Sequence, residues 1–229
     1  MTKRFLQWFF PLTLLFTPVM TLANQQFIVD YFQNLKTLEA NFTQEIITKD
    51  RVDTTTGELI VEKNNPTVEG NSQQLSSTKG QKRGISSPKF LFDYQKPYQQ
   101  ILVSNGEKFW FYDVDLMQVI IKPLSEVLNN PVLQILLSAE PLDQYFDIKM
   151  VRDRREYLLT PKVGRSDLEV KDIQVIFANR KIYSFKVEDV TGQKISFVMK
   201  RVQENSTIPA SRFDFTIPAD VDVIDETKK

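Results

Sequence analysis

Residues Pro97 to Lys122 carry the clearest structural pattern in this chain and read PYQQILVSNGEKFWFYDVDLMQVIIK. Two apolar, aromatic-rich segments flank Asn105-Gly106, a pair that favours a β-hairpin because both residues tolerate the positive φ of a type I′ turn. A second turn is predicted at Asp113-Val114-Asp115, since acidic side chains bond the local backbone in turns. The stretch therefore predicts consecutive antiparallel strands.

The first strand after the Asn-Gly turn carries four aromatic residues in a row, Phe109, Trp110, Phe111 and Tyr112. Successive side chains of a strand point to opposite faces of the sheet. Both faces therefore carry large apolar groups, although a half-solvated antiparallel sheet needs only one such face. Another part of the protein, or a ligand, must cover the second face.

The remaining mature sequence extends this pattern. Apolar residues at helical spacing, Phe27, Tyr31, Leu35 and Leu38, predict an N-terminal helix, and 131–138 predicts a short apolar one with proline at its start. Alternation predicts further strands at 42–46, 57–63, 89–94, 145–160, 172–178, 182–190, 194–202 and 212–217. Many consecutive strands with few helices predict an α+β fold, a single curved antiparallel sheet or barrel with helices over one opening.

Two segments stand apart from this pattern. Lys3 and Arg4, an apolar run and small residues ending at Ala23 predict a cleaved signal peptide over 1–23; an uncleaved anchor is the alternative. The mature chain, 24–229, is then one exported domain. The polar segment 62–84 is either a solvated loop or a hairpin extension.

Composition excludes several classes of protein. The chain has no cysteine and no histidine, which removes disulfides, a lipid-modified N-terminal cysteine, Ser-His-Asp sites and histidine-ligated metals. Its 29 basic and 29 acidic residues leave no electrostatic footprint for nucleic acid. A carboxylate hydrolase using Asp113 and Asp115 survives this filter, but a turn explains both residues. We expect a soluble periplasmic protein that is not an enzyme and needs no cofactor or metal.

The apolar residues remain to be explained. A curved sheet beneath helices encloses an apolar interior, which suits acyl chains because each buried methylene contributes about 0.8 kcal/mol. We expect six side chains on the strands and the short helix to line this interior: Phe42, Phe90, Phe92, Trp110, Leu133 and Leu136.

Motifs across the mature chain match the pattern of a known family. The most specific lie within 97–119: Val103-Ser104-Asn105-Gly106, Trp110, Tyr112-Asp113 and Gln118-Val119. Weaker matches flank this region: Phe42-Thr43-Gln44, Pro88 with Phe90, Tyr157-Leu159-Pro161, Asp189 with Gly192-Gln193, and Phe213-Phe215-Pro218 followed by Val221-Asp222-Val223-Ile224. Together these motifs resemble the family of the outer-membrane lipoprotein carrier LolA.

The resemblance implies an unclosed antiparallel barrel, capped by helices over a hydrophobic cavity. It also implies a monomeric periplasmic chaperone that accepts acylated lipoproteins from the inner-membrane transporter LolCDE and delivers them to the receptor LolB, without a cofactor. A periplasmic lipid-binding sensor or regulator of the same fold is the alternative. The family usually has an arginine before the proline that precedes the aromatic strand, and this arginine latches the helical lid. Here Ser87 stands at that place, and Arg83 is the candidate substitute.

Overall fold

Twelve strands carry most of the fold of this protein, whose computed structural model describes residues 20–63, 88–124, 131–138, 140–164 and 169–228. In chain order the strands are β1 (Thr37–Ile47), β2 (Val52–Glu62), β3 (Lys89–Lys96), β4 (Gln100–Ser104), β5 (Phe109–Asp113), β6 (Gln118–Lys122), β7 (Phe146–Arg152), β8 (Glu156–Pro161), β9 (Val170–Ala178), β10 (Lys181–Asp189), β11 (Lys194–Glu204) and β12 (Asp222–Asp225).

These strands form one sheet in the order β12-β6-β5-β4-β3-β2-β1-β11-β10-β9-β8-β7. Neighbours are antiparallel throughout, except that β12 runs parallel to β6. The pairing of β1 with β11 joins the two halves of the chain along the whole length of β1. Within the described residues, β7 and β12 end the sheet without pairing to each other, so the barrel is unclosed, as predicted.

Three α-helices and one 3₁₀ helix accompany the sheet in the described ranges. They are α1 (Met20–Asn34), α2 (Pro131–Leu137), α3 (Leu142–Tyr145) and a 3₁₀ helix at Ala210–Phe213. None of the helices in the described parts of the chain is long and apolar enough to cross a membrane. The predicted signal peptide ends inside α1, and its residues 1–19 lie outside the described ranges; cleavage after residue 23 stays a prediction.

The N-terminal helix is confirmed, but it ends earlier than its apolar spacing predicts. Helix α1 stops at Asn34, and Leu38 lies in β1. Leu38 fits both patterns, because the same residue begins the alternation Leu38, Ala40, Phe42 on the buried face of the strand. Leu38 adopts the strand conformation because both β2 and β11 pair with this segment.

The hairpin between β4 and β5 is confirmed, but its predicted two-residue type I′ turn is wrong. Ser104 pairs with Phe109, which leaves a four-residue loop, and only Gly106 in that loop has a positive φ, of 90°. The Asn105 side chain explains the longer loop, since its Oδ1 accepts hydrogen bonds from the backbone N–H groups of Glu107 (2.9 Å) and Lys108 (3.0 Å).

The strand predicted at 212–217 is also wrong. This segment begins with the end of the 3₁₀ helix and continues as an irregular chain, and the last strand, β12, follows only at Asp222. Its alternating Phe213 and Phe215 pack on the sheet from outside instead of joining it. The polar segment predicted at 62–84 lies, beyond Lys63, outside the described residues.

Candidate functional site

The two faces of the sheet carry separate apolar clusters. The face that bears the main cluster is called the inner face; it includes buried residues of β1, β2, β3 and β5 together with residues of β7 to β11 and of the helices. Side chains from strands far apart in the sheet order meet in this cluster because the sheet curls around it. The opposite, outer face carries two smaller clusters on β2 to β6.

The inner face is apolar along rows that cross many strands. One row runs through five neighbouring strands: Ile195, Val187, Ile173, Leu159 and Ile148. Another crosses the other half of the sheet: Ala40, Leu59, Phe92, Leu102 and Phe111. This arrangement gives a continuous hydrocarbon surface around the interior.

Helices α1 and α2 occupy this interior. From α1, Phe27 and Tyr31 place their rings 5.3 Å and 4.8 Å from the ring of Phe177, and Phe32 lies 6.3 Å from that of Phe185. From α2, Val132, Leu133, Ile135, Leu136 and Leu137 are all buried in the main cluster. The helices therefore shield the apolar rows from water.

Five of the six predicted site residues come together in the main cluster: Phe42, Phe90, Phe92, Leu133 and Leu136. Three of them form an aromatic group on β1 and β3, the two strands that flank β2, with the Phe92 ring 6.1 Å from Phe42 and 6.2 Å from Phe90. Leu133 and Leu136 face this cluster from α2, so strands and helix contribute to one interior.

Trp110 does not belong with the other five, and its predicted place in the interior is corrected. It lies on the outer face with Val103 and Val119, and its ring is 5.9 Å from that of Phe215. Strand alternation decides this, because Phe109 and Phe111 face inward and leave the outer face to Trp110 and Tyr112. The cover over that second aromatic face is the C-terminal segment, not a helix.

An open recess lies at the end of the inner face remote from Lys63. It has a volume of about 590 Å³, and its lining includes Gln44, Asp53, Tyr94, Leu102 and Phe111. Tyr94 Oη donates to Gln44 Oε1 (3.2 Å), and burial raises the pKa of Tyr94 to about 12. Tyr94, Leu102 and Phe111 also pack on the main cluster, so this recess, called the mouth recess, adjoins the interior.

A buried lysine ties helix α1 to the sheet, and the sequence analysis missed it. Lys63 follows β2, and its Nζ donates to the backbone oxygen of Phe32 (2.7 Å), near the C-terminal end of α1. The residue is only 8% exposed, and no carboxylate of a described residue pairs with it. Strand alternation carries the signal that could have found it, since Leu59 and Val61 face inward and Lys63 continues their series.

Tyr31 of α1 makes two further bonds to the sheet. Tyr31 Oη donates to the carboxylate of Glu204 and accepts the backbone N–H of Ile182 (3.0 Å). Burial first, and then the bond to Glu204, raise the pKa of the Tyr31 hydroxyl well above its ordinary value, so it stays a donor at neutral pH. The helix is thus tied to β2, β10 and β11.

The carboxylate pair considered for hydrolysis is explained in part by the turn. Asp113 Oδ1 accepts the backbone N–H of Leu116 (3.0 Å), and its Oδ2 accepts Gln100 Nε2 (2.8 Å). The first bond fixes the connection from β5 to β6, and the second ties the end of β5 to β4. Among the described residues, no group of three or more acidic side chains is arranged to hold a metal ion.

Comparison with known proteins decides the family. A family model described as "Outer membrane lipoprotein carrier protein LolA" matches residues 64–216. The chain belongs to the LolA family. The family assignment confirms the resemblance drawn from the motifs in 97–119.

Relatives in the family match most of the chain. An outer-membrane lipoprotein carrier protein of Chromohalobacter salexigens is 34% identical over 163 residues, 69% of this chain and 76% of the relative. The protein of that name from Francisella philomiragia is 31% identical over 221 residues, 94% of this chain and 96% of the relative. An uncharacterized conserved protein from Thermus thermophilus shares the fold, with a TM-score of 0.50 at 11% identity, over 88% of this chain and 98% of that one.

The lid latch expected in this family can now be set beside the structure. Ser87 and Arg83, the residues considered for it, lie outside the described residues. Among the described residues, Lys63 bonds to α1 through an ammonium group, which lacks the forked donors of a guanidinium. Unlike a guanidinium, an ammonium changes its pKa readily when buried, and burial lowers the pKa of Lys63 to about 8.

The lowered pKa of Lys63 predicts a pH-dependent stability. Between pH 8 and about 10.4, its value in unfolded chains, the folded protein binds fewer protons at Lys63 than the unfolded chain does. The free energy of unfolding therefore rises with pH, by roughly 1.5 kcal/mol from pH 8 to pH 9.5. Urea unfolding across this range measures the rise.

A matched control separates Lys63 from other groups. Lys63→Met keeps the apolar stem and removes the ammonium, so its unfolding free energy should lack this rise. The range ends at pH 9.5 because Tyr31 and Tyr94, whose pKa values are raised, act with the opposite sign once tyrosines of the unfolded chain ionise near pH 10. Equal slopes for both proteins would contradict the role of Lys63.

Proposed function

We propose that this protein is a periplasmic carrier that binds the acyl chains of lipoproteins released from the inner membrane and delivers them to an outer-membrane receptor. The observation that carries this proposal is the continuous apolar inner face beneath α1 and α2. Acyl chains are long and carry no polar groups along their length, so the surface that binds them needs a large apolar area and no polar cluster. Membership in a family whose named members are lipoprotein carriers supports the same function.

The acyl chains take the place of helix side chains against the inner face. The seven described residues of helix α2 are too few to be stable in water by themselves, so the helix depends on its contacts with the rest of the protein. Moving it outward uncovers Phe42, Phe90 and Phe92. Apolar contact with a lipid then replaces apolar contact with Leu133 and Leu136, and the net free energy of exchange stays small.

A small net free energy suits a carrier. Each buried methylene contributes about 0.8 kcal/mol, so three acyl chains in an empty apolar cavity would be held too tightly for release. Here the gain on binding is offset by loss of the packing between the helices and the sheet. A lipid shifts the equilibrium between the closed and the open protein only to the extent that it binds one form more tightly than the other.

The bonds that hold α1 set the cost of opening. Lys63 gives up its bond to Phe32 O when α1 moves, but its ammonium regains water, which offsets part of the loss. The closed state is therefore held by a bond of low net strength. This arrangement is the proposed counterpart of the arginine latch usual in the family.

The proposed partners follow from the family. Acylated lipoproteins are the cargo, LolCDE is the donor in the inner membrane, and LolB is the acceptor in the outer membrane. Transfer needs no covalent step and no cofactor, because the receptor has only to bind the lipid more tightly than the carrier does. The carrier acts as a monomer with one interior.

Release from spheroplasts tests this function. Added mature protein should free acylated lipoproteins from the inner membrane into the supernatant and copurify with them, and mass spectrometry should show the intact N-terminal lipid. A sensor or regulator of the same fold would bind lipid without freeing lipoproteins. Supernatants that contain no more lipoprotein than those with added buffer would overturn the proposal.

A further inference from the structure

Three arginines meet where two hairpins end beside helix α1. Arg154 and Arg155 lie in the β7–β8 turn, and Arg180 lies in the β9–β10 turn. The β7–β8 turn is tied to the end of β9 by a hydrogen bond from the backbone N–H of Phe177 to the oxygen of Arg155 (2.7 Å). Together the three side chains line a recess of about 380 Å³, and they are called the arginine patch.

The patch is a concentration of positive charge on a chain whose net charge is zero. One carboxylate, Asp153, lines the same recess. No described carboxylate forms an ion pair with any of the three guanidinium groups, which are all exposed. On the other side of Arg180 lie Asp30 and Glu204, which accept hydrogen bonds from Gln26 and Tyr31 and form no ion pair with Arg180 among the described residues. The guanidinium groups are left to face solvent.

Backbone strain shows that arginine is not the residue these turns prefer. Arg180 has a φ of 64° directly after Asn179 at 52°, the two positions of a type I′ turn, where Asn-Gly is favoured. Arg154 has a φ of 47°. Left-handed backbone is less favourable for residues other than glycine, although other turns of this chain adopt it too, at Met117 and Asp220 for example. A glycine at either place would relieve the strain and lose the charge.

We propose that the arginine patch docks the protein on the phosphate groups of anionic phospholipids at a membrane surface. Guanidinium groups present forked donors that match phosphate oxygens. The three side chains lie at exposed hairpin ends and not in an enclosed pocket, so a membrane plane can reach them together. A free phosphate ion, in contrast, needs a closed set of donors around it.

The position of the patch sets the orientation of the docked protein on the membrane. Phe177, in the strand that leads to Arg180, packs on Phe27 and Tyr31 of α1. Docking therefore brings α1 and the end of the sheet near Lys63 toward the bilayer and leaves the mouth recess facing away. The inference stands apart from the proposed function, because the patch can bind a membrane whether or not the interior carries an acyl chain.

Flotation with vesicles tests the docking. The mature protein should float with vesicles of about 30% phosphatidylglycerol in phosphatidylcholine at about 20 mM salt, but not with pure phosphatidylcholine, and raising the salt to about 200 mM should release it. The triple variant Arg154→Gln, Arg155→Gln and Arg180→Gln should bind these vesicles about 100-fold more weakly, since each basic residue near an anionic surface contributes about a factor of five.

A control variant removes the same charge elsewhere. Lys49→Gln, Lys96→Gln and Lys194→Gln lie at the other end of the strands and should lower binding less than threefold. The proposal is overturned if this control loses as much binding as the arginine variant, or if the arginine variant binds as the wild type does. Equal binding to neutral vesicles, or displacement by millimolar inorganic phosphate at constant ionic strength, would also overturn it. None of these outcomes depends on lipoprotein release, which is measured separately.

Discussion

Phe92→Gln should lower lipoprotein release from spheroplasts at least tenfold. The Phe92 ring stands at the centre of the inner-face aromatic group, 4% exposed and close to Phe42, Phe90 and Tyr94. An amide there keeps its bonds to water when the helices move outward and loses them when an acyl chain covers it, which favours the open, empty interior over the lipid-bound one by about 1–3 kcal/mol. A loss of about 1.4 kcal/mol already weakens binding tenfold. The measurement is the amount of lipoprotein freed per mole of added protein.

The variant also loses stability, so the comparison needs a matched control. Phe215→Gln makes the same chemical change on the outer face, where Phe215 packs on Trp110 and Tyr112. It should unfold more easily than the wild type but release lipoproteins at the wild-type level, under conditions where circular dichroism shows both variants folded. If the two variants lose release equally, the inner face is not the acyl site.

Gly57→Ala should be the most destabilising single methyl addition in the sheet. Gly57 pairs with Phe42 on one side and Tyr94 on the other. An added Cβ would lie 2.1 Å from the backbone oxygen of Asp93 and 2.8 Å from Cζ of Phe42. The backbone oxygen cannot move away without disturbing the β2–β3 ladder, so we expect a loss of about 3 kcal/mol in the free energy of unfolding.

Thermal unfolding measures this loss as a fall in Tm of about 10 °C for a chain of this size. Gly192→Ala is the matched control, since its added methyl meets nothing within 4 Å and suffers only from the φ of +87°. That strain costs about 1 kcal/mol. A Gly57→Ala protein no less stable than Gly192→Ala would show that β2 and β3 separate easily at this point.

The local elements were predictable because their signals are local. The alternation in 89–94 and the apolar run in 131–138 match β3 and α2 closely. The prediction of a strand at 212–217 failed for the same reason, since Phe213 and Phe215 alternate with polar residues as they would in a strand. Whether an alternating segment joins a sheet depends on a free strand edge beside it, and β12 takes the edge next to β6.

The apolar character of the interior was predictable, but the full set of residues that line it was not. Residue type alone placed Phe42, Phe90 and Phe92 in an apolar site. Trp110 has the same character and lies on the other face, because strand alternation says which residues share a face and not which face is inner. Lys63 was missed because a lysine after a strand is usually solvated, and its burial depends on α1 crossing over the end of β2.

By itself, the sequence of 97–122 determined that one strand carries aromatic residues on both faces, since alternation is a property of the backbone. It could not determine what covers each face, because the covering groups come from distant parts of the chain. Only the tertiary structure assigns Phe109 and Phe111 to the interior and Trp110 and Tyr112 to the C-terminal segment. The physical reason is curvature. The concave face of a curled sheet encloses the interior, and its convex face must be covered by other segments of the chain.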